Sequence, residues 1–136
     1  FDYAGLRWRI ELWKGDYGPS TGSEIGIYYR SPYATTPDGW YQAVEDKDML
    51  LMSSYLKKGN ETIFRRSPVK TWWLTGFKFD GGTDPSKLTF GMTITFKNYE
   101  MREAFTDAFE TLNAKDRDMQ IQYSNNRNDN TVWIEW

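Results

Sequence analysis

The chain contains neither cysteine nor histidine. That double absence removes disulfides, thiolate nucleophiles, Ser-His-Asp relays, imidazole acid/base catalysis and the usual zinc or haem ligands together. Few enzyme mechanisms remain, so the inventory favours a binding role over a catalytic one and implies no cofactor and no metal. Excess charge is missing too: 17 basic and 19 acidic side chains leave a formal charge of -2. Nothing in that balance attracts nucleic acid. The longest weakly polar run, Met49 to Leu56, falls far short of the roughly 18–20 apolar residues a membrane helix needs, so no transmembrane segment is expected. The opening Phe1-Asp2-Tyr3 lacks an initiator Met, a basic region and an apolar stretch, and residues 1–136 read as one domain excised from a longer protein. Lack of cysteine suits either a reducing cytosol or an exported bacterial protein that dispenses with disulfides.

What the chain has in quantity is aromatic surface, with 7 Trp, 9 Tyr and 8 Phe making up 18% of its residues. Indole N–H and phenol O–H groups need partners when buried, and such side chains serve well at binding surfaces.

Alternation of period two runs through most of the sequence. Leu6, Trp8, Ile10 and Leu12 predict a strand over 6–13, and Ile25, Ile27 and Tyr29 a second over 24–30. Ser31 to Gly39, rich in Pro and Thr, reads as an exposed loop before Trp40 to Val44. Met49 to Lys57 and Thr62 to Arg66 form a hairpin around Gly59-Asn60, and a third pair is expected from Lys70–Phe79 and Lys87–Phe96. At Asn98 the period changes. Met101, Phe105, Phe109 and Leu112 mark one amphipathic helix over 99–113, with Asn98 as N-cap and Glu100 in the first turn. Met119, Ile121 and Tyr123, then Val132, Ile134 and Trp136, supply the closing strands. The expected class is α+β: a mostly antiparallel sheet system of about eight or nine strands, barrel-like or sandwich, with one helix over its apolar face.

Pairing the first two strands so that residue numbers sum to 37 sets Leu12 opposite Ile25 and Ile10 opposite Ile27. The reverse face then pairs Trp13 with Glu24, Glu11 with Gly26, Arg9 with Tyr28 and Arg7 with Arg30. Glu11 and Glu24 become diagonal neighbours beside the slot at Gly26, with Trp13 as a stacking wall, which is the minimal kit for glycoside hydrolysis. The simpler account is an ion-pair ladder in which Arg9 and Lys14 neutralise the two glutamates. Between these stands a polar ligand face of Arg9, Glu11, Trp13, Lys14, Tyr17, Glu24 and Tyr28, suited to a saccharide or another cell-surface polymer. The Gly15–Ser23 loop could form an anion nest but carries no nucleotide-binding motif, and the oxygen-rich runs Asp80–Asp84 and Asp116–Asp118 fit turn chemistry better than calcium. Trp72-Trp73 offers one ring to each side of a strand. Lys57, Lys58, Arg65 and Arg66 make a basic hairpin that could, with Trp40 and Trp73, meet a protein partner or a lipid surface; resistance to strand addition is the plainer reading.

The stretches Trp8-Arg9-Ile10-Glu11-Leu12-Trp13-Lys14-Gly15-Asp16-Tyr17-Gly18, Thr21-Gly22-Ser23-Glu24-Ile25-Gly26-Ile27-Tyr28 and Trp72-Trp73-Leu74-Thr75-Gly76-Phe77 resemble a bacterial family known as domain of unknown function 4474. The likeness spans nearly the whole chain. It implies a domain of gut-type and other Gram-positive bacteria, often within larger or exported proteins, and carries over no catalytic residue. It also sets Glu11, Lys14 and Glu24 within the family's recognisable motif, where Gly15, Gly18, Gly22 and Gly26 could equally serve backbone shape.

Overall fold

The computed structural model describes residues 2–3, 6–7, 9–16, 22–30, 50–71, 74–80, 84–113 and 118–136. Short strands β1 (Asp2–Tyr3) and β2 (Leu6–Arg7) pair with each other. Strands β3 (Arg9–Asp16), β4 (Ser23–Arg30) and β7 (Phe77–Phe79) form a three-stranded sheet in the order β3-β4-β7. Strands β5 (Leu50–Lys58), β6 (Glu61–Thr71), β8 (Leu88–Phe96), β9 (Gln120–Tyr123) and β10 (Thr131–Glu135) form a five-stranded one ordered β6-β5-β8-β10-β9. Every pairing is antiparallel and neither sheet closes, so of the two expected architectures the sandwich holds and the barrel does not.

Alternation dictates the core. Leu50, Met52 and Leu56 of β5, Leu88, Phe90, Met92, Ile94 and Phe96 of β8, and Val132 and Ile134 of β10 line one buried face. Two covers share it. Phe77 of β7 meets Phe90 edge-on at 6.1 Å, while helix α1 (Tyr99–Asn113) sets Phe105 5.0 Å from Phe96. The helix keeps the expected bounds, and the Asn98 side chain caps it by accepting the Met101 N–H at 2.9 Å. Its buried Arg102 lies between the Tyr99 and Tyr123 rings, 4.8 Å from each, and donates to the Ser124 carbonyl at 2.8 Å, tying helix to sheet.

The outer face of the large sheet is mostly polar, with Leu51, Tyr55 and Trp133 among its large apolar members. Tyr55 pairs with Gly91 and Gly91 with Glu135, and the phenol spans the middle strand to donate to Glu135 at 2.8 Å. A Cβ on Gly91 would lie 2.0 Å from the ring, so only glycine lets the ring pass. Burial, then the Glu135 hydrogen bond, push the Tyr55 hydroxyl up to about 12.

The β5–β6 hairpin turns where expected, with Gly59 at φ +61°, the left-handed conformation that a II′ turn takes at its first position. Edge strand β6 slips register twice, between Met52 and Ser54 and between Leu56 and Lys57. Pro68 falls in the first slip, and both irregularities blunt the edge against strand addition. Arg66 is turned inward from the basic hairpin, donating to the Gly76 carbonyl at 3.2 and 3.3 Å and lying 4.8 Å from the Phe77 ring.

Three expectations need correction. The first long strand runs over Arg9–Asp16 rather than 6–13, because Leu6–Arg7 pairs back onto Asp2–Tyr3. The third hairpin does not form: β7 joins β4, and β8 instead lies between β5 and β10. The β3–β4 register sums to 39, with Leu12 opposite Ile27, Trp13 opposite Gly26 and Gly15 opposite Glu24. A two-residue shift preserves both faces, so hydrophobicity cannot choose between the registers. The observed one adds Gly15 and Asp16 to the ladder and shortens the connecting loop.

Candidate functional site

The β3–β4 hairpin holds the residues singled out from sequence, but it divides them between two surfaces. Odd-numbered Arg9, Glu11 and Trp13 share the face of β3 turned away from the core. Arg9 Nη1 stands 3.3 Å from Glu11 Oε1, and Trp13 Nε1 donates to Glu11 Oε2 at 3.3 Å. Each carboxylate oxygen is thereby engaged, and Glu11 fixes the orientation of an indole that remains 40% exposed. As an ion pair near solvent this is worth only about 0–1 kcal/mol. Its effect is positional.

Glu24 shares that outward face but lies opposite Gly15, four ladder positions from Tyr28, the partner of Glu11. At ~3.3 Å per residue the backbone positions of the two glutamates are set about 13 Å apart along the strands, well beyond the roughly 7–8 Å of diagonal neighbours. The expected diagonal pair is therefore absent, for the register reason given above. Arg30 comes opposite Arg9, not Arg7. Tyr28 is placed by its backbone alone, and Tyr17, Trp40, Trp72 and Trp73, the 31–39 loop, 81–83 and 116–117 lie outside the described residues.

Lys14 does not neutralise a glutamate. Being even-numbered, it falls on the inner face with Ile10 and Leu12, paired with Ile25. Its Nζ sits 5.6 Å from the Trp136 ring centroid. Burial lowers its pKa below the usual lysine value, and the charge of Asp84 opposes that shift. Around it opens a cleft of about 520 Å³, lined also by Asp84, Pro85, Ser86, Asp118 and Trp136. A 3-10 turn, Pro85–Lys87, shapes one wall: Asp84 Oδ1 accepts the Ser86 N–H at 3.0 Å and the Ser86 hydroxyl at 2.7 Å. Asp84 thus does the turn work expected of it. Asp118, at φ 52°, is the one non-glycine residue with positive φ among those described.

Sequence reasoning missed Trp136, Asp84, Ser86 and Asp118 as neighbours of Lys14. One signal was present, since Trp136 continues the alternation of Val132 and Ile134 and so had to point inward; it exchanges backbone bonds with Phe90 at 2.7 and 2.8 Å. That the end of β10 meets the end of β3 depends on sheet-on-sheet packing, which no local pattern encodes.

The described elements define a sandwich-like α+β domain whose small sheet carries an exposed outer side and an open cleft at one end. The chain belongs to the family described as domain of unknown function (DUF4474), which it matches over residues 1–133. No curated protein and no solved structure matches it.

Proposed function

We propose that this domain is a non-catalytic binding or accessory module of an exported bacterial protein, and that it presents the outer face of β3 to a saccharide or another cell-surface polymer. The observation that carries this reading is Trp13, a large ring left 40% exposed and held in one orientation by Glu11, which Arg9 holds in turn. A pre-oriented exposed indole offers an apolar plate at little entropic cost on binding, and the flanking charges can bond hydroxyls around a stacked sugar. The runner-up, a hydrolase using Glu11 and Glu24, loses support because the register no longer makes the two residues diagonal neighbours. A protein- or lipid-facing role through Trp40, Trp73 and the basic hairpin is weakened in one respect, because Arg66 is committed to Gly76 and Phe77.

Co-sedimentation with insoluble polysaccharides and bacterial cell walls tests the reading, alongside a thermal-shift screen of soluble oligosaccharides. Binding without turnover, weakened about tenfold or more by Trp13→Ala, is the expected result, since stacked aromatics dominate such contacts. Sedimentation indifferent to Trp13→Ala would reject this face, and product release abolished by Glu11→Gln would reinstate catalysis.

A further inference from the structure

The outer face leaves Lys14 unexplained. An ammonium on the inner side of a sheet is costly unless its three donors are used. Among the described residues no carboxylate comes within ion-pair distance of its Nζ and no acceptor bonds to it; its close partner is the Trp136 ring at 5.6 Å. The group faces an open cleft rather than packed side chains. A partly desolvated donor with no acceptor, beside an indole and facing open space, marks a place where a ligand supplies the missing bonds.

The charges of the cleft select among ligands. Lys14 contributes one positive charge, Asp84 and Asp118 two negative ones. An anion would be drawn to Lys14 but opposed by both aspartates; a cation would meet Lys14 inside the same small space. A neutral molecule rich in hydroxyls escapes both penalties. Its oxygens accept from Lys14, its O–H groups donate to the carboxylates, and its C–H face packs on the rings of Pro85 and Trp136. We infer that the Lys14–Trp136 cleft is a second ligand site, on the opposite side of β3 from Trp13, and that it takes an uncharged pyranose unit. The inference rests on the cleft and not on the outer face.

The test is a titration of the isotope-labelled domain with glucose and N-acetylglucosamine, with glucuronate and glucosamine as charged counterparts, read at the indole N–H resonances of Trp136 and Trp13 and at the Lys14 side chain. The expected result is that neutral sugars shift Trp136 and Lys14, that both charged sugars bind more weakly, and that Lys14→Met weakens neutral-sugar binding about tenfold, the loss of one charge-assisted hydrogen bond. Movement of Trp13 alone would overturn the cleft site while sparing the outer face. Movement of neither ring would overturn both as sites for single sugars. Glucuronate binding more tightly than glucose would overturn the neutral class and make Lys14 an anion receptor. Because the wild-type titration decides each of these, none depends on a variant that might lose its fold.

Discussion

Strands β8 and β3 are nearly equal in length, nine and eight residues, and both alternate cleanly, yet they occupy opposite situations. β8 has partners on both sides and buries Leu88, Phe90, Met92, Ile94 and Phe96. β3 pairs with β4 alone among the described residues, and none of its side chains from Arg9 to Lys14 is fully buried. The contrast separates two tasks. Apolar burial concentrates on the strand whose surroundings are complete, whereas charged and half-exposed aromatic side chains gather on the strand whose surroundings are left open.

Substitutions can sharpen or break that contrast. Phe90→Ala should give the largest effect, a loss of about 3–5 kcal/mol in urea denaturation, because the ring is fully buried against Phe77 and has no room to collapse into. Gly91→Ala should cost about 1–3 kcal/mol by driving Tyr55 off the sheet. In a Tyr55→Phe background most of that penalty should persist, since ring carbons at 2.0 and 2.3 Å would still meet the added Cβ once the hydroxyl, also at 2.3 Å, is gone. Asn98→Ala should cost about 1 kcal/mol and be visible in the same denaturation curves as a lost cap. Trp13→Ala should change stability by no more than about 0.5 kcal/mol; a loss comparable to that of Phe90→Ala would erase the distinction between the two strands.

Alkaline titration gives a subtler comparison. The lowered Lys14 pKa means that the unfolded chain holds more protons between that value and 10.5, so this group makes stability rise with pH across the interval. Tyr55, raised to about 12, works oppositely: its contribution is full below 10 and disappears as pH climbs from 10 to 12. Denaturation midpoints measured across that range should lose the rise in Lys14→Met and lose part of the fall in Tyr55→Phe. Tyr123, raised chiefly by its hydrogen bond to Glu110, adds to the same fall.

These differences also explain what was legible in the chain. Helix α1 could be placed to the residue, because its cap and its apolar spacing are local features. The faces of β3, β4 and β8 were legible for the same reason. Neighbours were not: the period-two pattern of Phe77–Phe79 and Leu88–Phe96 says which side is buried but not that one strand joins β4 and the other enters between β5 and β10. The site suffered most from this. A register two residues off kept Arg9, Glu11 and Trp13 together while dissolving the Glu11 and Glu24 pair, and Lys14 was assigned to glutamates on the wrong side of its own strand. Trp136 and Asp118 reach Lys14 only through tertiary packing.

The order β6-β5-β8-β10-β9 has a consequence for synthesis. β10 is an interior strand, and its Val132 and Ile134 complete the core, yet of the ten described strands it is translated after all the others. While the ribosome holds Thr131–Glu135 in its exit tunnel, β8 offers an unpaired edge and β9 has no strand to join. Folding of this sheet must therefore wait until β10 emerges from the tunnel, and the nascent domain passes through an interval in which its most apolar strand is open on one side to any competing segment.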